Sequence, residues 1–82
     1  MDEGRHAAWA QLHAATPAGW FVGRPSYHNE LREWVMYAFD RSERPKVGTR
    51  SREWQAVGTS ENSVVLEMAR CLGEIREGRV PK

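Results

Sequence analysis

Ala8, Trp9, Leu12 and Ala15 recur at the spacing of one helical face. The alanine-rich stretch around them predicts a first helix over residues 3–16, which Pro17 ends by driving Thr16 out of helical backbone space. Gly19 to Arg24 is short, aromatic and β-branched, and Pro25 closes it, so it reads as a first strand. Residues 26–32 hold too few apolar positions to define an element and read as a connection. From Glu33 to Asp40, Trp34, Met36 and Ala38 alternate with Val35, Tyr37 and Phe39. Both faces of that strand are apolar, which places it centrally in a sheet. Arg52 to Gly58 alternates Trp54 and Ala56 against Glu53, Gln55 and Val57, the pattern of an edge strand with one wetter face.

The last element opens at Thr59-Ser60-Glu61-Asn62, where a hydroxyl can cap the orphan amides and Glu61 suits the positive helix end. Val64, Val65, Met68, Ala69, Leu72 and Ile75 then share one face, and Arg70 with Glu74 forms an i, i+4 pair. Gly78 is positioned as a left-handed terminator, and Pro81 prevents continuation. The order α-β-β-β-α predicts an α+β fold, a three-stranded antiparallel meander with two helices packed on one face. The expected core is Trp9, Leu12, Trp20, Val22, Trp34, Met36, Ala38, Trp54, Ala56, Val65, Met68, Leu72 and Ile75. Val35, Tyr37 and Phe39 are then left on the face away from the helices, an apolar surface of the kind that marks an interface.

Length and composition narrow this picture. Eighty-two residues, 40% of them hydrophobic and with four Trp, suffice for one compact domain over 1–82 with a flexible tail at 79–82. The single cysteine forbids an intrachain disulfide. No run approaches the ~20 apolar residues that span a bilayer. The first residues show no basic head followed by an apolar run, so a cytoplasmic protein without membrane contact is expected.

Net charge is only +1, but it is unevenly placed. Residues 41–52 hold Arg41, Arg44, Lys46, Arg50 and Arg52 against the single acid Glu43, and Pro45 and Gly48 mark them as a loop. An exposed basic hairpin loop is expected there, joining the central and edge strands.

Catalytic and metal chemistry find little footing. His6 and His13 lie seven residues apart, about 10 Å along a helix, too far to share one ion unaided. His28 has no ligands at metal spacing, and Cys71 has neither a CxxC partner nor a helix N-terminus to lower its pKa. No phosphate-cradling glycine loop or nucleophile elbow is present. A non-catalytic protein is expected, with no metal and no cofactor.

The α-β-β-β-α order with a long basic element resembles the double-stranded-RNA-binding domain, which implies contact with a minor groove and its phosphates. Here Gly23 to His28 holds a Pro and a His at a spacing different from that family's, and the last helix opens at Thr59 to Ser63 without a lysine. The strands followed by Gly58-Thr59-Ser60-Glu61 and an amphipathic helix are similar to small antitoxin domains of the HicB type, without that family's signature between the strands. Neither resemblance extends beyond topology.

Two functions remain. The first is a protein-interaction module that docks a protein partner or a second copy of itself through Val35, Tyr37 and Phe39. The alternative is a nucleic-acid-binding accessory domain, contacting DNA or RNA phosphates through Arg41, Arg44, Lys46, Arg50 and Arg52.

Overall fold

In a computed structural model, residues 2–41, 53–79 and 81 are described. The chain runs through α1 (Asp2–Ala15), β1 (Trp20–Val22), β2 (Ser26–His28), β3 (Glu33–Asp40), β4 (Glu53–Gly58) and α2 (Glu61–Arg76). The α+β class and the antiparallel sheet are as the pattern predicts, with one additional strand. Residues 26–28, expected within a connection, form β2. All three of its side chains are exposed, so it leaves no hydrophobic alternation in the sequence, and it is held by pairing with β3.

The registers explain how four strands retain the expected layout. β4 occupies one edge of β3 from Trp34 to Phe39, so β1 and β2 must share the other. β1 pairs with the end of β3, Val22 opposite Ala38, and β2 with its beginning, Ser26 opposite Val35. Gly23, Arg24 and Pro25 thus face only Met36 and Tyr37, one residue too many for a regular ladder. β1 and β2 act as a single edge strand interrupted by a bulge. The ladder survives at its start, where Gly23 N–H donates to Tyr37 O at 2.8 Å. Pro25, with no amide hydrogen, fits the interruption.

Alternation then sorts the sheet into two faces. Trp34, Met36 and Ala38 of β3, with Val22, Trp54 and Ala56 beside them and Trp20 opposite Asp40, face the helices. α2 lies on β3 and β4 and buries Val64, Val65, Met68, Ala69 and Leu72. α1 adds Ala8 and Leu12 to the same core, packed chiefly on α2 rather than directly on the sheet. Every residue expected in the core is in it or packed against it, and all four Trp are only half-buried. An indole is too large to vanish inside so small a core.

The ends of α2 follow the expected chemistry. Ser60 is the N-cap: Ser63 N–H donates to Ser60 Oγ at 3.0 Å, and Ser60 N–H donates to Ser63 Oγ at 2.9 Å. Gly78 takes φ +83° just after the C-cap Glu77. The Arg70 side chain reaches Glu67, three residues back, with Glu74 exerting only a weaker pull on it. Glu74 instead accepts from Arg79, whose amide also donates to Glu74 O at 2.8 Å. In the tail read at 79–82, Arg79 is thereby tied to α2 and Pro81 is buried.

Candidate functional site

The face of the sheet turned away from the core carries the residues expected at an interface. Along β3 it presents Glu33, Val35, Tyr37 and Phe39, and Arg41 continues the alternation just beyond the strand. Register places Phe21 opposite Phe39 on one side, and Glu53, Gln55 and Val57 opposite Phe39, Tyr37 and Val35 on the other. Both helices lie on the opposite side of the sheet, and among the described residues no helix covers this face.

Exposure divides its residues unequally. Tyr37 is 40% exposed, Phe21 49% and Val57 46%, while Phe39 is half-buried. Val35, expected to be available at the interface, is 1% exposed. It sits mid-strand, paired with Ser26 on one side and Val57 on the other. Phe21 and Val57 take its place. Phe21 could have been read from its register opposite Phe39, had the pairing been known; Val57 was visible as the one apolar residue on the wetter face of its strand.

Arg41 is positioned by the end of the sheet. Its amide donates to Gly19 O at 2.8 Å, extending the ladder one residue past β3. Its guanidinium carbon then lies 4.8 Å from the Phe21 ring centre and 5.2 Å from that of Phe39. The two rings are themselves 5.4 Å apart and tilted by 35°. Such a cation over aromatic faces contributes roughly 0.5–1 kcal/mol at an exposed site and fixes the planes of all three groups. Arg44, Lys46, Arg50 and Arg52 lie outside the described residues.

The remaining candidates for chemistry stay apart. Among the described residues, no group of three or more His, Cys, Asp or Glu could hold a metal ion. No helix among them is long and apolar enough to cross a membrane. Cys71 is buried, and that burial pushes its thiol pKa up, the opposite of what a nucleophile needs. The Trp54 indole N–H, itself buried without a hydrogen-bond partner, is the next-largest influence on this thiol and acts in the other direction.

No protein-family model, no curated protein and no solved structure matches this chain.

Proposed function

We propose that this protein is a non-catalytic interaction module that self-associates through the open face of its sheet. The observation that carries the reading is the cluster of Phe21, Tyr37, Phe39 and Val57 on the face opposite both helices. Large apolar side chains gathered on one face gain by burial, at about 25 cal/mol per Å² of apolar surface removed from water. The face also pairs well with itself, because Glu33 and Arg41 stand at opposite ends of its central strand. A two-fold related copy can therefore bring each cation to an acid.

The test is the mass in solution. Sedimentation equilibrium of the native chain is expected to show a dimer, and the double substitution Phe21→Ser, Tyr37→Ser is expected to leave a folded monomer. A native chain that stays monomeric at all accessible concentrations would sink the reading.

A second reading is favoured by Arg41 alone. A guanidinium over two phenyl rings at the start of a five-cation segment also suits a single-stranded nucleic acid, with bases on the aromatic faces and phosphates on the cations. Steep loss of binding with added salt would identify this mode.

A further inference from the structure

On the helix side of the sheet, a cleft of about 640 Å³ opens between the start of α1, the bulge between β1 and β2, and the start of α2. Arg5, Trp9, Arg24, Pro25, Trp34 and Glu61 line it. Its size falls in the range of small-molecule sites. Trp9 and Trp34 each press one side on the core and leave the remainder in the cleft. The Tyr27 ring meets Trp34 edge-on, 5.6 Å between centres at 62°, and steadies that indole at the rim.

The charges in the cleft are not equivalent. Arg5 is already matched, its guanidinium 3.3 Å from Glu61 Oε1. Arg24 is exposed and has no ion-pair or hydrogen-bond partner among the described residues. The bulge is what puts it there, because the extra residue breaks the edge strand at that point. The cleft therefore offers two indole surfaces and one guanidinium that is uncompensated among the described residues, with Arg5 and Glu61 cancelling each other, so that its lining carries a single net positive charge.

We propose that this cleft binds a small aromatic carboxylate, its ring against Trp9 or Trp34 and its carboxylate on the fork of Arg24. A single negative charge matches the single unpaired cation, and a planar carboxylate accepts two parallel hydrogen bonds from a guanidinium. A phosphate dianion would meet the same fork, but it exceeds the single net positive charge of the lining, Arg5 and Arg24 against Glu61, and costs more to strip of water. The site lies on the opposite side of the sheet from the proposed self-association face, so either proposal can fail alone.

The experiment is a titration of the native chain with phenylacetate, following the indole N–H signals of Trp9 and Trp34 by NMR. Saturable shifts of these two signals are expected, with phenylacetamide, acetate and phenyl phosphate each binding at least about tenfold more weakly. Arg24→Gln is expected to weaken phenylacetate binding by about tenfold or more, the backbone amide spectrum certifying that the exposed substitution leaves the fold intact. Glu61→Gln, which frees Arg5, is expected to narrow the gap between phenyl phosphate and phenylacetate. Absence of saturable shifts, equal binding of the neutral amide, tighter binding of phenyl phosphate by the native chain, or an unchanged affinity in Arg24→Gln would each overturn the proposal.

Discussion

At the scale of single residues, the tightest constraint is a missing side chain. A Cβ on Gly58 would lie 2.6 Å from both Ser63 Oγ and Val64 N, where β4 hands over to α2. The Val64 contact is with backbone, so relief requires moving the first turn of the helix and disturbing the Ser60–Ser63 cap. Gly58→Ala is expected to cost about 1–3 kcal/mol in urea unfolding, the range for forcing extra volume into a packed site. A loss under half a kcal/mol would mean that the turn yields freely. Glu67 poses a subtler question. Arg70 Nε–H donates to Glu67 Oε1 at 2.8 Å, and this bond above all holds the carboxyl below the usual glutamate range, against a smaller opposing effect of burial. Because the folded pKa is the lower one, the unfolded chain binds more protons between the two values. The pair's contribution is thus present above the ordinary glutamate pKa and fades as pH falls through the folded value. With the carboxylate side chain 37% exposed, that contribution is a fraction of a kcal/mol. Glu67→Gln should flatten the acid side of the stability curve slightly and leave neutral pH almost unchanged, which unfolding midpoints measured from pH 3 to 7 would show.

At the scale of elements, what could be read in advance depended on whether side chains or backbone decided the outcome. α2 announces itself through its apolar face and its Ser60 cap, and β3 through apolar residues on both sides. In each case burial of side chains dictates the conformation, and burial leaves a periodic trace in the sequence. β2 leaves none, because Ser26, Tyr27 and His28 are all exposed, and it is backbone pairing with β3, together with the contact of Tyr27 on Trp34, that makes them a strand. The bulge was hidden for the same reason, even though Gly23 and Pro25 stand at its two ends. Nothing in the sequence therefore marks Arg24, although the bulge delivers it to the cleft beside Trp9 and Trp34. The open face was legible in Tyr37 and Phe39, whereas its true membership was not. Phe21 joins the face because the register of β1 on β3 sets it opposite Phe39, a long-range fact, while Val35 is buried.

At the scale of the whole molecule, the arrangement of charge along β3 makes the proposed self-association testable in its geometry and not only in its existence. Tyr37 is midway between Glu33 and Arg41, which are separated by roughly 26 Å of extended chain at about 3.3 Å per residue. When two copies stack sheet to sheet with their β3 strands antiparallel, Arg41 of each comes over Glu33 of the other and the Tyr37 side chains meet near the two-fold axis. With the strands parallel, like charges would face each other at both ends. Aligned sheet packing tolerates a rotation of about 30° between the layers, small enough to keep these ends in register. Arg41→Glu alone should therefore weaken the dimer by about tenfold or more, since it sets carboxylates against carboxylates twice over and also removes the cation from Phe21 and Phe39. The double substitution Glu33→Arg, Arg41→Glu restores opposite charges in the antiparallel stack but returns no cation to the two phenyl rings. Sedimentation equilibrium at low salt separates the two effects. Recovery of dimer in the double variant would establish the antiparallel stack; a double variant as weak as Arg41→Glu would eliminate it and leave the stacking on Phe21 and Phe39 as the role of Arg41.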